Sequence, residues 1–551
     1  MKKSSFLQGA LIATLGIIIS KILGVIYVIP FYAIIGEQGG ALYGYAYNIY
    51  SIFLGVASVG LPLAISKLVS EYNALGYYYA KERVYTLGRK VITTLGIIVF
   101  LTLIIFAPHI AYLIIGDIKG GNTIEDVSYV VRMVSFAILV VPGLSIARGY
   151  LQGHKYITPT AFSQVIEQIV RVTFIIFGSY LTLRVFNLKL SNAVGIAVFG
   201  AFIGALFSYG YLIKKIFDHS NKLNRHAEIT RAETKLTDNK IIKRLLMYAI
   251  PFIIIDISKN IYNSVDMVTL VKTLVNSLNY NIKVAESVMS IISTWGHKLN
   301  MIVASIATGI IVSLIPNLVS SFVIKDIDDV RKKINQALQI LIYITIPMTV
   351  GLSFLAKPVW TAFYGTNVWG PVVFKYSIFM TLFSTIFNTT IIILQSVNRY
   401  KMVFTCLVLG LLTKIFLNIP LMYSFEEMGM YAFYGAITAT ILGYLVGVIT
   451  GLIYLNKIFN INYEKTIKHL INIVFVNIIM VLVLSLLKII IPLSTSSRLL
   501  SLLICFVYAI GGATIYFVIT YYNKTFEQIF GKRLKNLIVE KWATIANKKM
   551  L

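Results

Sequence analysis

Cysteine, histidine and acid are all scarce in this 551-residue chain, which holds 2 Cys, 6 His and 22 Asp or Glu against 49 Lys or Arg. Cys406 and Cys505 both fall inside apolar segments, where a disulfide framework has no loop to staple, so they read as packing residues. The scattered histidines assemble neither a Ser-His-Asp constellation nor a Cys/His metal pattern, which argues against an enzyme or a metal-dependent fold. No polar stretch is long enough for a soluble basic domain with interleaved aromatics, so the formal charge of +27 does not mark a nucleic-acid binder.

What the chain does have is hydrocarbon. At 58% hydrophobic residues and a mean hydropathy of +0.81 it is excluded from the soluble globular class. Apolar segments of about 20 residues, enough to cross about 30 Å of bilayer core, recur fourteen times. They include span 1 (Phe6–Ala33), span 2 (Tyr43–Val69), span 5 (Pro159–Leu183), span 7 (Leu245–Leu274), span 8 (Ala285–Phe322), span 11 (Met402–Ser424), span 13 (Ile467–Leu487) and span 14 (Leu499–Tyr522). The expected class is an all-α polytopic membrane protein. Span 1 is longer than a signal-peptide core and lacks a small-residue cleavage site, so it is expected to be retained.

The loop charges set an orientation. Segments on the side of both termini carry about 32 Lys or Arg, including Lys81, Arg83, Lys325 and Arg399, against about 7 on the other side. Both termini are therefore expected in the cytoplasm, with the basic face meeting anionic lipid headgroups.

Three anchors indicate an internal repeat of six spans. Ser20-Lys21 matches Ser258-Lys259, Leu61-Pro62 with Ser66 matches Ile315-Pro316 with Ser320, and Leu151-Gln152 with Arg171 matches Leu394-Gln395 with Lys414, at offsets of 238, 254 and 243 residues. Equal topology of the copies implies a pseudo-two-fold axis along the membrane normal. The expected organisation is a six-helix bundle over 1–217, a cytoplasmic linker over 218–244, a second six-helix bundle over 245–456, two added helices over 457–522 and a basic tail over 523–551. Among the basic residues of that tail, Phe526, Ile529, Phe530, Leu534, Leu537 and Ile538 recur at helical spacing, as in an amphipathic helix lying along the inner membrane surface.

A lysine at a helix centre costs roughly 2.5 to 3.5 kcal/mol on insertion scales, so intramembrane charges point to a wet cavity or a partner. They are Lys21, Glu167, Arg171, Asp256, Lys259, Asp266, Glu286, Lys298 and Lys414. Spans 1, 7 and 8 are expected to line the cavity, with span 2 as the repeat counterpart of span 8. Glu167 and Arg171 stand at i,i+4 with the acid first, so they are expected to pair along one face and neutralise each other. Lys259 has Asp256 three residues before it, whereas Lys21 and Lys298 have no acid at helical spacing. Lys21, Lys298 and Lys259 are the candidate anion ligands, phosphate being suited to lysine as a point charge. The competing reading has each meet an interhelical acid such as Asp266.

The run Arg148-Gly149-Tyr150-Leu151-Gln152-Gly153, then Thr158-Pro159-Thr160-Ala161 and Ser163 to Arg171, resembles the YtgP/SpoVB branch of the polysaccharide-type flippases. Ser20-Lys21-Ile22-Leu23-Gly24 and the stretch from Pro62 to Gly76 are similar to the same branch, and the resemblance covers essentially the whole chain. The branch groups with the MurJ-like flippases of the multidrug/oligosaccharidyl-lipid/polysaccharide (MOP) superfamily. The resemblance implies export of lipid II, the undecaprenyl-pyrophosphate-linked peptidoglycan precursor, across the bacterial plasma membrane. The expected protein is a monomer with no cofactor. The resemblance puts Lys21 and Lys298 where cations of spans 1 and 8 receive the headgroup. Tyr27 stands where the pattern has a second arginine in span 1, and Asn48, among the tyrosines and serines of span 2, where it has a further base. The resemblance also implies a groove for the lipid tail at spans 13 and 14. Some members are thought to bind sodium among spans 7, 11 and 12; Asp256 and Asn418 stand there, but Lys414, one turn from Asn418, is itself placed to fill a cation's position, and no coupling ion is assigned.

A polyprenyl chain can remain in lipid while its charged, sugar-bearing headgroup cannot, so the mechanism expected is alternating access of a polar cavity. Two rival classes fit less well. A drug/cation antiporter of the same superfamily has twelve spans and an acid-dominated cavity, and a membrane glycosyltransferase needs carboxylates on a sizeable outward loop, whereas the first such loop holds only Glu37.

Overall fold

The computed structural model describes residues 19, 20, 22–55, 60–116, 121–223, 228, 229, 233, 236–493 and 496–531. Lys21 lies outside them, as do Leu534, Leu537 and Ile538, and the side chain of Lys259 is likewise outside the described set. Among the described residues every regular element is helical. Eleven of the helical segments are long and apolar enough to cross a membrane, as a bilayer solvent demands of a backbone that must satisfy its own hydrogen bonds. The chain is a multi-pass membrane protein.

It divides into two compact units, residues 1–298 and 299–551. The first contains α1 (Val28–Leu54), α2 (Gly60–Ala74), α3 (Tyr78–Ile115), α4 (Ile124–Gly153), α5 (Ile157–Tyr180), α6 (Leu190–Asp218), α7 (Asp238–Lys272) and α8 (Ile282–Ser290). Helix α9 (Gly296–Val323) crosses the boundary. The second unit continues with α10 (Ile327–Phe354), α11 (Ala356–Tyr364), α12 (Trp369–Ser396), α13 (Tyr400–Glu427), α14 (Phe433–Phe459), α15 (Glu464–Ile490), α16 (Arg498–Tyr522) and α17 (Thr525–Phe530).

Local chemistry explains several boundaries. Gly36 breaks α1 with φ 64° and ψ −160°, a backbone state that a side chain disfavours, and so separates the end of span 1 from the start of span 2. Thr123 caps α4 through a reciprocal capping box with Asp126, and Asn281, Asp326 and Ser497 cap α8, α10 and α16. Each side chain accepts from an amide that the first helical turn leaves unpaired.

Helix α4 is the hub of the first unit, packing on α1, α2, α3 and α6. Helix α7 begins at Asp238, inside the stretch read as linker, and packs on α2 and α3. At that end Arg83 Nε donates to Asp238 Oδ1 at 2.8 Å, Arg244 Nη2 to Glu71 Oε1 at 2.9 Å, and the Ala80 amide to Glu233 Oε1 at 2.9 Å. Lys81, expected among the solvated loop bases, is buried, with Nζ donating to Asn73 Oδ1 at 3.3 Å.

In the second unit α13 and α14 form the most extensive helix pair, α10 joins α12 to α15, and α16 packs on α11 and α15. The start of the tail differs from expectation. Phe526 and Ile529 of α17 are buried, with the Phe526 and Phe530 rings 6.2 and 5.3 Å from Tyr343 of α10, so this apolar face is covered by protein rather than by lipid.

Candidate functional site

The second half of α1 carries Tyr43, Tyr47 and Tyr50 at i, i+4 and i+7, which is one helix face. Tyr43 and Tyr47 stack with centroids 5.7 Å apart and planes 11° from parallel, and Tyr50 leans on Tyr47 at 5.7 Å. Tyr27, just ahead of α1, meets Phe31 at 6.0 Å, and Phe31 meets Tyr43 edge-on at 5.3 Å. Trp295 closes the wall, edge-on to Phe31 at 5.7 Å and to Tyr32 at 5.1 Å.

The close approach of the segment from Ser293 to Trp295 is written into α1 as Gly40 and Gly44, one turn apart. A Cβ at Gly40 would overlap the Trp295 indole, and one at Gly44 would stand 2.8 Å from Thr294 Oγ1. Small residues four apart are how membrane helices bring backbones together. Thr294 Oγ1 then donates to the Gly40 carbonyl at 2.9 Å. Residues Ile291–Trp295 form a single π-helical stretch between α8 and α9, which shifts the register of α9 against α8. Lys298, just beyond it, places Nζ 5.5 Å from the Tyr27 ring centre and 5.9 Å from that of Tyr47.

A second cation reaches the same wall from α5. The Arg171 guanidinium carbon lies 5.4 Å from the Tyr47 ring centre. The neutralisation expected from Glu167 does not occur. Glu167 Oε2 instead accepts from Arg148 Nη2 of α4 at 2.7 Å, and Arg148 also donates to Ser163 Oγ at 2.9 Å and Ser208 Oγ of α6 at 3.2 Å. The physical reason is the number of partners met at once: from α4 the Arg148 fork reaches Glu167, Ser163 and Ser208 together, so the carboxylate closes a network that joins three helices. Among the described residues neither Arg171 nor Lys298 forms an ion pair with an acid, and both keep some accessible surface.

The other candidates lie elsewhere. Asn48 Oδ1 accepts from Ser264 Oγ of α7 at 2.9 Å, and Asn260 Nδ2 donates to the Ser51 carbonyl and to Asp256 Oδ2, both at 3.3 Å. Asn48 and Asp256 thus belong to a polar seam between α1 and α7. Asp266 is buried in α7. Glu286 Oε1 accepts from the Asn122 amide at 2.7 Å and from Asn122 Nδ2 at 2.9 Å, tying α8 to the loop before α4. Lys414 sits in the second unit, fully buried, with Nζ donating to Asn418 Oδ1 at 2.7 Å and to the Ala436 carbonyl at 2.9 Å. Sequence reasoning did not single out Arg171 as an open charge or Trp295 as part of a wall. The Tyr43, Tyr47 and Tyr50 spacing was readable, but the partner of Glu167 was not.

Two apolar cavities flank α15. One of about 490 Å³ lies among α10, α15 and α16, lined by residues such as Tyr343, Met480, Leu484 and Tyr516. Helices α15 and α16, which line it, correspond to spans 13 and 14. The other, of about 760 Å³, is bounded by α10, α12, α14 and α15. Among the described residues no group of three or more His, Cys, Asp or Glu could hold a metal ion. Arg171 and Lys298 thus stand against phenol rings with no acid ion-paired to them among the described residues, an arrangement whose chemistry suits an anion.

The chain is similar to known transporters over almost its whole length. The polysaccharide biosynthesis protein family profile matches residues 6–320. The lipid II flippase MurJ of Bacillus subtilis (strain 168) is 34% identical over 542 residues, covering 96% of this chain and 98% of that protein. Among solved structures, a lipid II flippase MurJ in an inward closed conformation superposes with a TM-score of 0.66 at 16% identity, covering 93% of this chain and 99% of that one. An inward-facing multidrug-resistance MATE transporter of the MOP superfamily gives a TM-score of 0.62 at 12% identity, over 81% of this chain and 98% of that one. The two structural likenesses establish the fold.

Proposed function

The chain belongs to the polysaccharide biosynthesis protein family, and from that membership we infer that it is a lipid II flippase, a transporter and not an enzyme. Its substrate is a lipid-linked glycan whose charged headgroup must cross the hydrocarbon while the polyprenyl chain stays in it. The observation that carries this reading is Lys298, a base inside the bundle set 5.5 and 5.9 Å from two tyrosine rings and ion-paired with no acid among the described residues. An uncompensated intramembrane charge is costly, and a pyrophosphate supplies the missing counter-charge each time substrate binds. Lys21 and Lys259, by their places in spans 1 and 7, add to the positive field, and the apolar cavity among α10, α15 and α16 takes part of the prenyl tail.

The protein works as a monomer in the plasma membrane, with both termini in the cytoplasm and its basic loops against anionic lipid. Alternating access moves the headgroup outward. With the interior negative, each negative charge exported is favoured by about 2.3 kcal/mol per 100 mV, so the potential suffices as a driving force without a resident cofactor. Lys414, bound to Asn418 and Ala436, holds a cation covalently where a free one would otherwise be drawn. The test is depletion of the protein in cells lacking any redundant flippase, with outer-leaflet lipid II detected from outside. Accessible lipid II is expected to fall as the precursor accumulates inside. Normal external levels would move another undecaprenyl-linked precursor, of capsule or teichoic type, ahead of lipid II.

A further inference from the structure

The geometry points to Arg171 as a second phosphate ligand beside Lys298, delivered by α5 to a wall to which α1 contributes rings but no base. This rests on the flippase reading and deepens it. Four observations converge. From Glu37 to Leu54, the half of α1 that faces the cluster, there is no Lys or Arg. Arg171 and Lys298, distant in sequence, both stand within the cation–π reach of the single ring of Tyr47, at 5.4 and 5.9 Å. The acid that helical spacing assigns to Arg171 is held by Arg148. The ring that the two cations share is not fully buried, and neither are they.

Two like charges over one neutral ring repel each other, and cation–π contact offsets only part of that cost. A ligand carrying two adjacent negative groups relieves the repulsion and gives each cation a partner. A single phosphate relieves it less, because one cation can satisfy it while the other stays on Tyr47. The planar fork of Arg171 suits bidentate phosphate contact, and Lys298 acts as the point charge. Tyr47 is then the platform on which both cations wait, a positioning residue. Close helix packing supports the arrangement: a Cβ at Gly204 of α6 would stand 2.7 Å from the Glu167 carbonyl and 3.0 Å from Arg171 Cβ, so α6 fixes the stretch of α5 from which Arg171 emerges.

The experiment uses purified full-length protein in nanodiscs and three probes: undecaprenyl pyrophosphate, undecaprenyl phosphate and the uncharged alcohol. Wild type is expected to bind them in that order of decreasing affinity. Arg171→Gln is expected to weaken the pyrophosphate about 10-fold or more and the monophosphate only about 2- to 3-fold, so the ratio between the two collapses. Arg171→Lys keeps the charge without the fork and should give an intermediate ratio, which holds the idea testable if the glutamine variant does not fold. A merely structural Arg171 would lower both affinities in parallel, and that result, or an unchanged ratio in either variant, overturns the assignment. If wild type itself does not prefer the pyrophosphate to the alcohol, the failure lies with the flippase reading. A normal wild-type preference with an unmoved Arg171 variant sinks only the role of Arg171.

Discussion

Lys298 and Lys414 are both lysines inside apolar helices, one in each compact unit, yet their surroundings are opposite. Lys414 is fully buried and its ammonium is received by Asn418 Oδ1 at 2.7 Å and the Ala436 carbonyl at 2.9 Å, which join α13 to α14. Lys298 keeps accessible surface and faces ring quadrupoles at 5.5 and 5.9 Å, weaker partners than oxygen at hydrogen-bond distance. The difference teaches that a charge in a membrane helix reports function by what it still lacks. A saturated ammonium holds helices together, and an unsaturated one leaves room for a ligand.

The comparison breaks most readily at Lys298. Lys298→Ala is expected to abolish complementation of a flippase-depleted strain while membrane levels stay normal; full growth would return Lys298 to a packing role. At Lys414 the opposite split is expected. Lys414→Leu leaves two acceptors without their donor and should cost about 1–3 kcal/mol of stability, read as a lower thermal midpoint, with pyrophosphate selectivity unchanged. Loss of that selectivity at full stability would put Lys414 in the substrate path and erase the contrast.

The smallest effect is expected where a cation is neither starved nor enclosed. Arg83 donates to Asp238 at the end of the bundle, with both side chains well exposed. The hydrogen bond from Arg83 holds the Asp238 carboxyl below the ordinary carboxylate range. A depressed carboxylate contributes stability that is present above its unfolded value near 3.9 and is lost as pH falls through the lower folded value. Arg83→Ala should therefore change stability by under about 1 kcal/mol at neutral pH and by nothing measurable once Asp238 is protonated. A loss that persists in acid would show that Arg83 works by packing.

Much of the architecture was legible in the residues. Apolar length and the bias of basic loops imply a polytopic helical protein, and the motif from Arg148 to Arg171 carries the family resemblance. The Glu167–Arg171 pairing was misread because helical spacing reports only neighbours on one helix, while Arg148 approaches from α4 with several donors to satisfy. The burial of Lys81 and of Phe526 was missed for a related reason, since loop position and amphipathic pattern say nothing of which neighbour covers a side chain. The Gly40 and Gly44 pair was present in the sequence, but the segment it admits, Ser293 to Trp295, stands some 250 residues away.

By itself the sequence determined the solvent this chain lives in, its helical class and which charges lie inside apolar spans, because hydropathy, spacing and charge count are local properties. Tertiary structure alone decided which of those charges is answered. Neutralisation depends on distances of a few ångströms between helices far apart in the chain, and those distances turned Glu167 toward Arg148, closed Lys414 between two carbonyl oxygens and left Arg171 and Lys298 facing one tyrosine.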